Sequence, residues 1–283
     1  MTTKKENIKR LGIYLLIVAA SSAMPFVYFK LMNASQTGFF IVAELFCAAP
    51  ALANLITRKL TKEGFRNMKL HLHLTENIRY YLLAFALPLL CTALMYIPAI
   101  IICDHSEWLS GFTLNNVVTA VLMLAAQGAV MSAGLIGEEL GWRGYMNQKL
   151  EPLVGIIGTV LIGGAVWSLW HLPSDMQGYL AGRETLSETM KSVGGRLLIM
   201  PGYAAFYMWL TKKTDSVWPA VLAHAMGNAS QSAIAELLGM GNIPEAASLP
   251  SWTDVLEYVP MIIIAMFFVV LLLREKKKIP QTA

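Results

Sequence analysis

The chain is poor in charge and poor in cysteine. Asp, Glu, Lys and Arg make up only 14% of its 283 residues, 56% are hydrophobic, and the mean hydropathy is +0.54. An ordinary soluble domain carries about 25% charged residues, so this composition excludes a water-soluble globule. The three cysteines, Cys47, Cys91 and Cys103, are scattered in or beside apolar segments and form no CxxC pair. That excludes a disulfide framework and a cysteine metal site. No GxSxG occurs, and the cysteines stand apart from His171 and His224, so a serine or cysteine nucleophile has no recognisable context. No internal repeat is visible, and no Gly- or Pro-broken helix pair recurs in two halves, which weakens a transporter reading. The net charge of +4 does not imply nucleic acid, because the basic residues are distributed among loops rather than gathered on one helix or patch.

What is present is a series of long apolar runs. Eight can be marked, at about 11–29, 38–56, 80–103, 116–150, 152–172, 195–211, 217–237 and 255–273. Crossing a bilayer takes roughly 20 apolar residues in a helix, so each is a candidate span. The predicted fold is an all-α polytopic membrane protein, a bundle of about eight transmembrane helices forming one membrane domain over 1–283. The first run follows a basic patch (Lys4, Lys5, Lys9, Arg10) and reaches about Tyr28, too long for a signal-peptide core. Arg58 to Arg79 reads as a basic amphipathic loop on the membrane surface. The Gly178–Gly195 connection, with its polar Arg183–Thr189 centre, is the longest loop candidate.

Loop charges fix orientation, because cytoplasmic loops collect Lys and Arg. With the N-terminus inside and the runs alternating sides, 18 of the 22 basic residues fall inside; only Lys30, Arg183, Lys191 and Arg196 fall outside. The expectation is a multi-pass protein of the cell membrane with both termini cytoplasmic and the lipid bilayer as its surroundings. Trp108, Trp142, Trp218 and Trp252 fit an interfacial aromatic belt. Glu44, alone in the second run, reads as pairing with a neighbouring helix or facing a cavity, and Arg274–Lys278 as an anchor that favours anionic lipid.

Chemistry concentrates at Gly137-Glu138-Glu139-Leu140-Gly141-Trp142-Arg143-Gly144. The preceding 21 positions, Asn116 to Ile136, carry no charge. Ionisable groups against such a helix are costly and tend to mark function. Glu139 and Arg143 are four apart and share a helical face, so they can pair, in a fork that leaves Glu138 as the working carboxylate. Of the five histidines, His71, His73 and His105 lie in polar linkers. His171 ends the fifth run and His224 lies inside the seventh, with Asn228 one turn on, on the same face. Intramembrane ionisable groups on separate helices normally face a shared interior. With a turn at Glu151-Pro152, Glu138 and His171 would lie roughly 20 Å and 30 Å from it, compatible in depth but not matched.

Such a set suits water activation. A glutamate beside a histidine can act as general base. Alternatively one glutamate and two histidines (Glu138, His171, His224) make a set that holds a divalent ion such as zinc. His224 and Asn228 can instead donate to a developing oxyanion. A non-catalytic membrane immunity or scaffold protein, or a proton-coupled transporter, would also account for buried glutamates and histidines.

Glu138-Glu139-x-x-x-Arg143, then Trp167-x-x-x-His171, then His224-x-x-x-Asn228 resembles the CPBP family, the CAAX prenyl protease and bacteriocin-processing intramembrane peptidases also called ABI. The resemblance covers a catalytic core over about 115–235. It departs at one position, where the family's usual Phe is Trp167, a modest change if the ring only packs. It implies a multi-helix membrane peptidase with its site sunk below the surface, Glu138 and His171 activating water, and His224 and Asn228 serving the oxyanion or a metal. It also implies peptide or membrane-associated protein substrates, which in the family include prenylated ones. Metal dependence is left open by the sequence.

Overall fold

The computed structural model describes residues 3–31, 36–102, 104, 109–110, 113–237 and 255–278. Cys103, His105, Trp108 and Trp252 lie outside the described residues. No strand occurs among the described residues, and the all-α class holds. The helices are α1 (Lys4–Ser22), α2 (Met24–Leu31), α3 (Gln36–Leu60), α4 (Leu74–Ile102), α5 (Leu114–Gly141), α6 (Asn147–Trp170), α7 (Leu172–Leu180), α8 (Leu186–Thr214), α9 (Trp218–Leu237) and α10 (Val255–Lys278). A single π-helical turn, Trp142–Met146, joins α5 to α6.

Three stretches of the described residues are helical, long and apolar enough to cross a membrane: Leu74–Ile102, Leu114–Leu180 and Tyr258–Glu275. The second contains α5, α6 and α7. The expected count of about eight spans is therefore not what apolarity returns. Elsewhere polar groups break the apolar run: α1 opens on four basic residues, α8 carries Lys191 and Arg196, and α9 carries His224, Asn228 and Ser230.

Local chemistry explains several boundaries. Thr185 caps α8: its hydroxyl accepts from the Glu188 N–H at 3.2 Å, and the Glu188 carboxylate accepts from the Thr185 N–H at 2.7 Å. This reciprocal pair satisfies two otherwise orphaned donors. The long polar loop expected at Gly178–Gly195 is thus mostly helix, with only 181–185 between α7 and α8. The reversal expected at Glu151-Pro152 falls instead at Gly155, whose φ of 71° and ψ of −178° lie where only glycine rests comfortably.

α5 packs most closely on α3 and α9. On the α3 side the approach is backbone to backbone. A Cβ on Gly137 would stand 2.4 Å from the Cys47 carbonyl oxygen, and one on Gly141 2.3 Å from Pro50 Cβ. Gly134 lies under the Glu44 carboxylate on the same seam. Small residues at this spacing let membrane helices meet without a gap.

One end of the bundle is tied by charge. Glu63, after α3, pairs with Lys149 and with Arg10 at 3.5 Å, and accepts from the Tyr145 hydroxyl at 3.1 Å. Lys69 pairs with Asp215, and the Trp218 indole donates to the Leu70 carbonyl at 2.9 Å. Lys212 reaches Glu151 at 2.6 Å and Lys213 reaches Glu275 at 2.7 Å. The basic linker is therefore pinned to the helix ends, with Arg58 donating to the Gly64 carbonyl at 2.9 Å.

Candidate active site

The two glutamates close α5, and the π turn that follows widens the helix and turns Trp142 and Arg143 inward. Such single-turn bulges recur at functional sites. All four side chains are buried, Glu139 completely. Arg143 Nη1 donates to Glu139 Oε1 at 3.1 Å through one nitrogen, so the pair forms as expected but is not a two-nitrogen fork. The same Glu139 oxygen meets His224 Nδ1 at 2.9 Å. Arg143 is not a loop charge at all: its guanidinium lies 4.2 Å from the Trp167 ring centre and 4.9 Å from that of Tyr207. Over desolvated rings that contact is worth about 2 kcal/mol.

Glu138 has a separate set of partners. Its Oε2 accepts from the Trp167 indole at 2.8 Å and from the Trp142 indole at 3.3 Å. Trp142, assigned to the interfacial belt on sequence, is buried here because its N–H has a carboxylate to meet rather than headgroup water. Trp167 does more than pack. It touches Glu138 through its N–H, Arg143 through its face, and His224 edge-on at 5.1 Å between centroids. The sequence signal was present as Trp142 four residues after Glu138 and Trp167 four residues before His171, but nothing in a linear pattern aims an indole N–H.

With the reversal at Gly155, Glu138 lies 17 residues before it and His171 16 after it. The depth mismatch expected from Glu151-Pro152 disappears. His171 caps the end of α6, half-buried, with Nδ1 at 2.9 Å from the Trp167 carbonyl oxygen. It is close enough to Glu138 for their charges to interact, but no hydrogen bond joins them. Asn228, one turn beyond His224, is exposed rather than buried.

That exposure is to a cavity of about 530 Å³ whose wall includes Trp167, Tyr203, Tyr207, His224, Gly227 and Asn228. Its outer wall is the first half of α8, through Ser192 and Arg196. Arg196 is held by two contacts to Asp175 of α7, at 2.5 and 2.8 Å. The structure thus gathers Glu138, Glu139, Arg143 and His224 around Trp167, places Asn228 in the adjoining cavity, and sets His171 to one side.

The model for type II CAAX prenyl endopeptidase Rce1-like proteins matches residues 116–230. The matched stretch is less than half of the 283-residue chain, and it is over that stretch that the chain is similar to these endopeptidases. A relative, CAAX prenyl protease 2 of Methanococcus maripaludis, is 25% identical over 228 residues, 79% of this chain and 78% of that protein. The family-model match begins at the uncharged run of α5 and ends at Ser230, so all six candidate residues fall inside it.

A catalytic zinc takes three protein ligands and keeps a fourth position open. Among the described residues no three His, Cys, Asp or Glu side chains gather in that way. As arranged, Glu138, His171 and His224 do not fit as a metal-holding set, and no step below runs through a metal.

Proposed function

We propose that the chain is an intramembrane endopeptidase that hydrolyses a peptide bond of a protein substrate at the floor of the Trp167–His224–Asn228 cavity. The observation that carries this reading is the pairing of two buried carboxylates to different partners around one indole. One oxygen of Glu139 meets both Arg143 and His224, while Glu138 is held by the Trp167 and Trp142 indoles and by the Cys47 thiol. A carboxylate fixed in this way is suited to take a proton from water, and fixed geometry is itself a large part of the rate.

In the proposed sequence, water attacks the scissile carbonyl carbon as Glu138 accepts its proton. The carbonyl oxygen becomes an oxyanion, and the Asn228 amide donates to it. His224, aligned by Glu139, stands beside that oxygen as the second donor; a donor aimed at an oxyanion is worth about 3–4 kcal/mol. The C–N bond then breaks, and the proton held at Glu138 passes to the leaving amine. His171 lies near enough to Glu138 to assist that transfer. Arg143 balances the charge of Glu139 and, through its stacking, keeps Trp167 in place.

The test compares new protein termini by mass spectrometry in membranes that hold wild type or Glu138→Ala. Termini that appear only with wild type support proteolysis and name a substrate. Identical profiles from two folded proteins at equal levels would remove the peptidase reading and leave a non-catalytic binding protein.

A further inference from the structure

α3 reaches the two glutamates without touching the cavity. A Cβ on Gly137 would stand 2.4 Å from the Cys47 carbonyl oxygen, so the α3 and α5 backbones touch one residue before Glu138. That approach brings the Cys47 thiol to the Glu138 carboxylate, to which it donates a hydrogen bond. Consecutive side chains on a helix point about 100° apart, so Phe46, one residue earlier, faces α6 instead. Phe46 is buried and lies flat on Trp170, with ring centroids 3.7 Å apart and planes 2° apart. Its ring also meets that of His171 edge-on at 6.1 Å. Trp170 in turn packs edge-on against Trp142 at 5.5 Å, and Trp142 donates to Glu138. Two adjacent residues of one helix therefore support both Glu138 and His171.

Neither residue borders the cavity of Trp167, His224 and Asn228, and neither lies in the matched stretch, which starts at 116. A substrate seated in that cavity touches neither of them. The types of contact suit holding rather than neutralising. A lysine or arginine at position 47 would favour the ionised carboxylate and cost Glu138 its readiness to take a proton. A thiol is a weak donor, which fixes the direction of the carboxylate at little cost to its basicity. A stacked ring adds no charge and limits the tilt of the imidazole beside it.

We infer that α3 is the positioning element of the site: Cys47 fixes the rotamer of Glu138 and Phe46 fixes the ring of His171, which keeps the two at one separation. Both act through other residues and are positioning residues. Rate falls steeply when a base is misplaced, so this support is worth turnover rather than substrate affinity. The consequence for turnover rests on the peptidase reading, but the two contacts do not.

The contact is tested first, without turnover. In a full chain with Cys91 and Cys103 replaced by Ala, the infrared S–H stretch of Cys47 should lie at the low frequency of a thiol bonded to a carboxylate and move up in Glu138→Ala. Glu138→Gln should move it partway, a second reading if the alanine variant does not fold. A band unmoved in the folded variants overturns the inference. Turnover is then read on a peptide spanning the wild-type-dependent cleavage point. Cys47→Ala should lower kcat about tenfold at unchanged KM, and Cys47→Ser, which keeps a donor, should stay within about threefold of wild type. Phe46→Leu should lower kcat about three- to tenfold. Cys47→Ala or Phe46→Leu within about twofold of wild type overturns the inference. So does a Cys47→Ser as slow as Cys47→Ala, or a loss that appears in KM, either of which would leave α3 a packing helix only. The infrared measurement needs no cleavage, so its failure is separate from a failure of the Glu138→Ala comparison.

Discussion

Replacing Trp167 with Phe removes one hydrogen-bond donor and little else. The ring stays, and with it most of the packing and the face offered to Arg143. What goes is the 2.8 Å indole N–H bond to Glu138, leaving that oxygen only the longer 3.3 Å bond from Trp142. A hydrogen bond to a charged group is worth about 1.5–3 kcal/mol, which corresponds to roughly a tenfold to hundredfold loss if it is spent on holding the base in place. Trp142→Phe removes the weaker bond and should cost less, about tenfold or below. The assay is the rate at which a wild-type-dependent terminus appears, at equal levels of folded protein. Thermal unfolding in detergent should move little for Trp167→Phe and much more for Trp167→Ala, which also loses the Arg143 contact and leaves a cavity worth about 3–5 kcal/mol. A Trp167→Phe protein within twofold of wild type would refute the argument, as would a larger effect from Trp142→Phe.

Four other outcomes are expected. Glu139→Gln leaves Arg143 buried with a weaker partner and should destabilise the fold by about 3–5 kcal/mol, read as a drop in unfolding midpoint. Asn228→Ala touches only the cavity, so cleavage should fall about a hundredfold or more with no change in that midpoint. Gly141→Ala forces a methyl group to within 2.3 Å of Pro50 and should separate α3 from α5, lowering stability and activity together. Burial opposes ionisation of Glu63, but Lys149 first, then Arg58 and Arg10, outweigh it and hold its carboxyl below the ordinary range. A lowered folded value means stabilisation that is present above the unfolded value of about 4.3 and lost as pH falls through the folded one. The difference in midpoint between wild type and Glu63→Gln should therefore be full at pH 7 and shrink below about pH 4.

The helical class and the identity of the residues that meet were legible because both are periodic facts. Apolar runs announce helices, and Glu139 and Arg143, or His224 and Asn228, share faces by spacing alone. Direction and depth were not. Proline at 152 looks like the stronger breaker, yet it only constrains the residue before it, whereas a reversal needs a backbone angle that Gly155 supplies without strain. Moving the turn by a few residues brings Glu138 and His171 level. Arg143 and Trp142 were misplaced for a related reason. At the end of an apolar run both residue types normally face headgroups, and only the π turn, which has no sequence signature here, rotates them into the bundle.

The same turn explains why the departure at Trp167 matters. In a regular helix Glu138 points about 100° away from Glu139, so a carboxylate at that position needs its own donors if it is to be buried. A phenyl ring opposite it supplies none, and an unpaired buried charge costs several kcal/mol. Here the widened turn brings one indole to Glu138 from its own helix, and α6 brings the other. The tryptophan is thus matched to the carboxylate by hydrogen-bonding need rather than by volume. That predicts a specific order of variants. Compared with Trp167→Phe, a donor of different shape at the same position, Trp167→Gln, should retain more activity and Trp167→Leu no more, although leucine is the better fit to an apolar wall. If the leucine variant retains as much as the glutamine variant, Glu138 does not depend on a donor from α6.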